Sequence, residues 1–492
     1  MSIKPVKFVG LHSHSGFSTF DGMDLPQKHI DFVRSNGMNA WALTDHGNMN
    51  GYCHAYLHMQ KINAEDPENQ FKFIPGCEMY VHPDLAVWKF DYEIQRAIKA
   101  NDEAKRLELV AARDAIISPV FEIKREHKQE HEVSDEDASM TVENEEETKS
   151  SKFYNPIKRR HHMVVLPKTS TGLKRLFGLV SKGYLEGFYR FPRVDYKMLK
   201  EAADGGHIMV TSACIGGPLA YEIFKHFQGV EFEDLKPELL DDNDVLKSVL
   251  HSVGLGYNAI ANAVGKENFY LELQFNKLNA QHLVNRALLA FAEQEGLQDN
   301  LIVTTDSHYS QPELWREREL YKKLGWLNYK DFDPDKLPKS KDELKCELFP
   351  KNAQQVWDTY FDTKQDRPFY NDQIICDAIE RTYDIAHNVI QDIRPDTTMK
   401  LPSYVCPEGK NDDQALLELC VKGLHQKGLL KNKEYVDRLK YELKVIADKD
   451  FSRYFLTMYA VVEVARRKMT VGAGRGSAAG SLVAFVLRLT NI

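Results

Sequence analysis

Five stretches of the sequence carry metal-capable side chains directly after an apolar run. FVGLHSH supplies His12 and His14, with Asp21 closing the same loop; AWALTDH supplies His46; KFIPGCE supplies Glu78; IMVTSAC supplies Cys214; and LIVTTDSH supplies Asp306 and His308. On an extended segment side chains alternate with period two, so H-x-H places both imidazoles on one side, and D-x-H at Asp306 and His308 repeats the device. Imidazole, carboxylate and one thiolate favour Zn²⁺, Mn²⁺ or Fe over Mg²⁺ or Ca²⁺, which prefer all-oxygen shells. Several such ions close together can acidify a bound water and clamp a phosphate for in-line attack, which is phosphoesterase chemistry. Taken singly, a histidine near a strand is more often a packed or surface residue, and Cys214 would pass for a small hydrophobe. The joint placement carries the reading. His162 stands apart because it precedes its apolar run, MVVL, and His161 beside it is ambiguous.

A second constellation lies near the C-terminal end, in RRKMTVGAGRGSAAGSLVAFVLRL. It reads as a short strand, a Gly and Ala loop, then an apolar helix. Backbone N–H groups at such a loop form an anion site, to which Arg475 adds a planar fork and Ser477 a hydroxyl. A triphosphate would suit it. The spacing matches neither the P-loop nor the dinucleotide fingerprint, and close helix packing through small residues explains the same glycines equally well.

These groups need elements to position them. Apolar runs at Val6–Leu11, Ala40–Thr44, Phe71–Ile74, Met163–Leu166, Ile208–Thr211, Phe269–Leu273 and Leu301–Thr304 alternate with helix-length amphipathic stretches such as Pro26–Ser35 and Leu283–Gln294. That alternation predicts an α/β domain with a mainly parallel sheet, and about seven strands suggest a barrel. In a parallel barrel the C-terminal strand ends share one rim, so ligands scattered along the chain can meet there. The regularity breaks at about 84–158, read as an acidic, disordered insert: Glu122 to Ser150 alone holds 11 acids against 4 bases, too little apolar surface to offset ordering entropy. The predicted divisions are a barrel at 1–320, a polar connecting region at 321–400 and a third part at 401–492, with helices at Gln414–Leu424, Tyr435–Ala447 and Tyr454–Arg467. From Phe451 onward the chain carries 6 bases and 1 acid, a local positive charge suited to phosphate. Seven cysteines with no C-x-x-C pair argue against a disulfide framework or zinc ribbon and fit a reducing cytoplasm. No stretch is long and apolar enough to cross a bilayer.

The segments HSHSGFSTFDG, LTDHGNMNG, GCEMYV, HHMVVL, SKGYLEGFYRFPRVD, TSACIGGP, FYLELQ and TTDSHYSQPE resemble, in order, the motifs of the polymerase-and-histidinol-phosphatase (PHP) domain. They look most like the version at the N-terminus of bacterial C-family replicative polymerases of the DNA polymerase III alpha type. The resemblance implies a distorted seven-stranded barrel holding up to three metal ions. Its nine ligands fall on His12, His14, Asp21, His46, Glu78, His162, Cys214, Asp306 and His308. A complete set implies a metal-dependent 3′–5′ exonuclease. VGAGRGSAAGSLVAFVLRLT resembles the palm motif of the same polymerases, which implies nucleotide-phosphate contacts by Gly474, Arg475, Gly476 and Ser477 within an incomplete α+β palm.

That family places the paired carboxylates that hold Mg²⁺ for nucleotidyl transfer after this loop, beyond Ile492. The D-x-D pairs at Asp448 and Asp450, Asp333 and Asp335, and Asp135 and Asp137 read as solvated surface. Polymerisation then requires a longer or second polypeptide with the remaining palm, thumb and fingers. That polypeptide would bring primer-template DNA, a dNTP and contact with a sliding clamp, in the cytoplasm of a bacterium or of a virus's bacterial host. A split of this kind would leave Leu482, Val483, Phe485 and Val486 exposed until the partner covers them. Two other readings stay open: a self-sufficient metallophosphoesterase, and a barrel whose metals only stabilise a platform.

Overall fold

The computed structural model describes residues 3–117, 157–325, 338–365, 367–398, 400–402, 404–474 and 476–491. They form two compact units, Met1–Pro395 and Asp396–Ile492.

In the first unit the apolar runs become β1 (Ala40–Leu43), β2 (Lys72–Pro75), β3 (Cys77–His82), β4 (His161–Pro167), β5 (Arg193–Asp195), β6 (Ile208–Thr211), β7 (Phe269–Gln274) and β8 (Leu301–Thr304). β1 pairs in parallel with β2, and the other six lie in the order β5-β3-β4-β6-β7-β8. Two sets of isolated bridges close these sheets into a ring. Gly10 pairs with Trp41 and Ser13 with Ser307, so the N-terminal segment lies between β1 and β8; His46 pairs with Glu78, joining the end of β1 to β3. The predicted Val6–Leu11 strand is therefore a stave held by single bridges, without a regular ladder of its own. β2 and β3 are two halves of one bent stave, broken at Gly76, and the short β5 pairs with β3 alone and stands outside the closed circuit, so the ring has the seven staves that the repeated runs predict. Val9, Leu11, Ile74, Met79, Met163, Leu166, Val210 and Leu271 are all buried in its apolar core.

β4 runs antiparallel to both of its neighbours. His162 lies inside this strand, opposite Tyr80, rather than ahead of it. A reversed strand enters at the rim where the others leave, which resolves why this one histidine precedes its apolar run.

Three divisions read from sequence are corrected. The proposed insert begins with ordered structure: Leu85–Lys99 and Glu103–Ile116 are helices, capped by Asp84 and Asp102. Trp88 and Ile94 of the first helix are buried. The remainder of that stretch, including its acidic run, lies outside the described residues. The connecting region is no linker either. Ala353–Lys364 and Asp372–Asp384 are helices whose Val356, Trp357, Tyr360, Ile375 and Ile379 belong to the same apolar core as the barrel. Finally, the second unit is wholly helical among its described residues, with Asp412–Gln426, Lys433–Asp448, Ser452–Arg466 and a short Leu482–Val486 helix. The three longer helices answer to the expected ones, but no strand precedes the glycine loop among the described residues. Leu482, Val483 and Val486 are buried and Phe485 packs against the same cluster, with Lys427 Nζ 3.6 Å from its ring centre. The apolar face expected to be open is covered by the unit's own helices.

Candidate metal centre

The loop after the N-terminal stave turns back sharply: Gly16 N–H donates to the Asp24 carbonyl at 2.7 Å and His14 N–H to Ser307 at 2.6 Å. A side chain at Gly22 would place its Cβ 2.1 Å from the Ser15 carbonyl oxygen, so only glycine lets Asp21 reach the pocket. Asp306 leaves β8 in a left-handed conformation, φ 47°, which re-aims the chain between two functional side chains.

These turns bring His12, His14, Asp21, His46, Glu78, His162, Asp306 and His308 to one rim. Nε2 of His12 and of His14 both lie 3.3 Å from Oδ1 of Asp306, and they approach Glu78 at 3.4 and 3.3 Å. Glu78 is also 2.7 Å from His46 Nδ1 and 3.0 Å from His162 Nδ1. Oδ2 of Asp21 lies 3.2 Å from His46 Nε2 and 3.3 Å from His308 Nε2. Three sets have ligand atoms mutually within 4.8 Å: His12, His14 and Asp306; His46, Glu78 and His162; and His14, His46 and His308. Cys214 sits at the edge of the group. Its sulfur accepts from Gly216 N–H at 3.4 Å, and burial, aided by Asp306 and Glu78, pushes its thiol well up; it joins none of the three sets among the described residues.

The donor atoms fit cations. His12 Nε2, His14 Nε2, His46 Nδ1, Glu78 Oε2 and Asp306 Oδ1 are buried without a hydrogen-bond partner, although buried polar atoms are ordinarily paired. Even the 2.7 Å approach of His46 to Glu78 lacks hydrogen-bond geometry. The opposite ring nitrogens, by contrast, are fixed. His12 Nδ1 donates to the acceptor-only Glu272 carboxylate at 2.7 Å. His14 Nδ1 donates to Ser18 Oγ at 3.0 Å, whose own hydroxyl donates to Asp45 at 2.7 Å. His308 Nδ1 donates to the Asp306 carbonyl at 2.7 Å. Each bond sets the tautomer and leaves Nε2 facing the pocket, the arrangement that orients imidazole toward a metal.

Charge is balanced by protons in this arrangement. Burial works against a charged His46, but Glu78 and Asp21 outweigh it and raise its pKa to about 10. Burial likewise opposes protonation of His12, yet Asp306, Glu272 and Glu78 hold it well above the usual imidazole value. Burial would raise the carboxyl of Glu78, but His162, His12 and His46 keep it well below its ordinary range; His308 and Arg318 do the same for Asp21.

Four residues here were not singled out from sequence: Glu272, Asp45, Ser18 and Arg318. Arg318 donates to Asp21 twice, Nη2 to Oδ1 at 2.5 Å and Nε to the carbonyl at 3.0 Å. Glu272 and Asp45 are buried carboxylates on or beside strands that otherwise read as apolar.

A PHP domain model matches residues 10–276. The chain belongs to the PHP domain family. A model of the bacterial DNA polymerase III alpha NTPase domain matches residues 414–492. The PHP chain is 27% identical over 489 residues to the DNA polymerase III subunit alpha of Treponema pallidum, covering 99% of this chain and 32% of that protein. To the same subunit of Borreliella burgdorferi it is 28% identical over 488 residues, covering 99% and 33%. The chain thus spans about a third of the length of the curated relatives it matches and corresponds to an N-terminal portion of them. A crystal structure described as a "putative metal-dependent phosphoesterase" from Bifidobacterium adolescentis aligns with TM-score 0.25 and 12% identity over 63% of this chain and 91% of that one.

In the second unit, Gly474 and Gly476 adopt φ of 88° and 91°, and Ser477 opens a single 3₁₀ turn ending at Gly480. The loop is exposed. Arg475 lies outside the described residues. Asp448 and Asp450 are exposed at a helix end, as the sequence predicts. No helix among the described residues is long and apolar enough to cross a membrane.

Proposed function

We propose that the PHP unit is a metal-dependent phosphoesterase that hydrolyses the 3′-terminal phosphodiester of DNA, as the proofreading part of a DNA polymerase III alpha-type enzyme. One observation carries this: buried imidazole and carboxylate atoms lacking partners converge on one rim while their far sides are locked by hydrogen bonds. His12, His14 and Asp306 would hold one ion, His46, Glu78 and His162 another, and Asp21 with His308 a third; Cys214 lies next to the first. Nitrogen-rich sets of this kind suit Zn²⁺, Mn²⁺ or Fe. When bound, such ions supply Lewis acidity toward a phosphodiester and acidify water. The chain's own contribution is to fix the imidazole tautomers through Glu272, Ser18 and the Asp306 carbonyl, to anchor Asp21 on Arg318, and to keep His12 and His14 fully buried so that bulk water is excluded.

The second unit would contribute the glycine loop, with Gly474, Arg475, Gly476 and Ser477 on the triphosphate of a dNTP. Further polypeptide would supply the Mg²⁺-binding carboxylates, the primer-template DNA grip and the clamp contact, in a bacterial cytoplasm. The test is release of nucleotides from the 3′ end of single-stranded DNA by the chain loaded with Mn²⁺ or Zn²⁺, with metal content verified by elemental analysis. A fully loaded chain that releases nothing, from DNA or from a nitrophenyl phosphodiester, overturns the hydrolytic reading.

A further inference from the structure

Four arginines cluster beside the metal centre without an acidic partner among the described residues. Arg193 is 1% exposed; its guanidinium lies 4.0 Å from the Trp88 ring and 5.5 Å from that of Tyr189. Its Nε donates to the Gly187 carbonyl at 3.2 Å, while both Nη atoms are buried and unpartnered. Arg159 stacks on Tyr221 at 4.3 Å and its Nε is also unpartnered. Arg160, exposed, lies 4.1 Å from the Phe191 ring and 5.8 Å from that of Tyr80. Arg190, exposed as well, sits at the apex of a tight turn. Tyr189 and Phe191 exchange backbone hydrogen bonds of 3.1 and 2.6 Å around it, and its own φ is 61°.

The charged and polar groups that act on Arg160 are Tyr80 and Arg190, and those acting on Arg193 are Tyr189 and Arg160; no carboxylate is among them. Asp195, two residues after Arg193, accepts from the Leu85 and Met198 N–H groups, and Glu186, four residues before Arg190, acts on Lys182 and makes no ion pair with the cluster among the described residues. Like charges held together on aromatic rings, with a strained residue at the tip, cost free energy in the unbound chain. A polyanion removes that cost. Ring stacking leaves the outward edge of a guanidinium free to grip phosphate.

The patch is continuous with the metal centre. Tyr80 meets His162 edge to face at 5.3 Å and stacks on His46 at 6.0 Å, and on its other side it lies 4.9 Å from Phe191, the ring beneath Arg160. Cationic side chains interleaved with aromatic rings are the arrangement that tracks a single strand, and here Arg160 and Arg190 alternate with Tyr189, Phe191 and Tyr80.

We propose that Arg160 and Arg190 form a platform that grips the backbone phosphates of single-stranded DNA upstream of the 3′ end lying at the metal centre. Placing the end there rests on the phosphoesterase reading; the grip itself does not depend on turnover. The test measures binding of a fluorescein-labelled oligothymidylate to the full chain by anisotropy, in EDTA, for wild type, R160A/R190A and R160K/R190K. The alanine pair is expected to raise Kd at least about tenfold and to flatten the slope of log K against log salt by about 1.4, roughly 0.7 for each single-strand phosphate left without its cation. The lysine pair, which keeps the charge, is expected to restore most of that slope. An unchanged Kd and slope in the alanine pair, or wild-type chain that does not bind the oligonucleotide, overturns the proposal. A metal-loaded wild type that binds in this way but hydrolyses nothing sinks the nuclease reading and leaves the platform standing.

Discussion

Glu272 is the residue on which the metal centre's geometry can be tested most sharply, because it touches no proposed ion directly. Its Oε1 accepts from His12 Nδ1 at 2.7 Å, Thr304 Oγ1 at 2.6 Å and Gln274 Nε2 at 2.9 Å, and its Oε2 from Thr211 Oγ1 at 2.5 Å. In Glu272→Gln the amide oxygen can take the Oε1 position and keep three donors, while the Thr211 hydroxyl turns to accept from the new NH₂. The fold should therefore hold. What disappears is the negative charge behind His12. A charge-assisted bond worth roughly 1.5–3 kcal/mol becomes a neutral one worth roughly 0.5–1.5 kcal/mol. The difference, about 1–1.5 kcal/mol, corresponds to roughly tenfold weaker metal binding, at the lower end of what outer carboxylates usually contribute. Calorimetric titration of EDTA-stripped wild type and Glu272→Gln with Mn²⁺ or Zn²⁺ reads this directly, and a melting curve of each metal-free protein controls for folding. A folded Glu272→Gln with affinity within twofold of wild type would refute the claim that Glu272 acts on the metal through His12.

His14→Ala removes an Nε2 shared by two of the three ligand sets. The melting-temperature rise that saturating metal gives the wild type, equivalent to about 2.7 kcal/mol at a hundredfold excess over Kd, should largely vanish in scanning fluorimetry. Arg318→Ala strips Asp21 of two donors and should destabilise the metal-free chain by roughly 1.5–3 kcal/mol in urea titration. Because His46 is protonated below about 10, metal uptake at pH 8 should release protons, and affinity should climb as pH rises toward that value; titrations in two buffers of different ionisation enthalpy count the protons. Glu442 accepts from Leu482 N–H, Val483 N–H, Ser481 Oγ and Arg438 Nε, and these bonds depress its pKa against the opposing effect of burial. Its stabilisation is then present above the ordinary glutamate value of about 4.5 and lost as pH falls through the lower folded value. Glu442→Gln should flatten that acid limb and cost roughly 1–3 kcal/mol at neutral pH, read by circular dichroism.

What sequence could convey follows from where each signal sits. The barrel was legible because its staves are short apolar runs between amphipathic helices, and eight of the nine inferred ligands meet because the chain delivers strand ends to one rim. Glu272 gives little separate signal because FYLELQ reads as a buried strand with two interruptions, although Glu272 and Gln274 alternate on one side of it. Arg318 lies in a helix dense with charge, WRERELYKKL, where nothing in spacing separates it from Arg316. The helices at 353–364 and 372–384 are masked by the polar chain around them, yet Val356, Trp357 and Tyr360, and Ile375 and Ile379, recur at helical spacing. β5 is three residues long, too short for any periodicity. The strand expected before the glycine loop rested on the few β-forming residues of MTVGAG, a run too small and flexible to hold an edge by itself.

The reversal of β4 has an architectural consequence for how this molecule can change. With Val81 opposite His161, the chain departs β3 and re-enters β4 through the same doorway, a few residues above Glu78 and His162. A sequence of any length can be spliced between those two points without rethreading a single stave, and whatever is spliced there starts and finishes beside the reactive opening. Variation at this junction is topologically free, and new material there arrives already addressed to the chemistry.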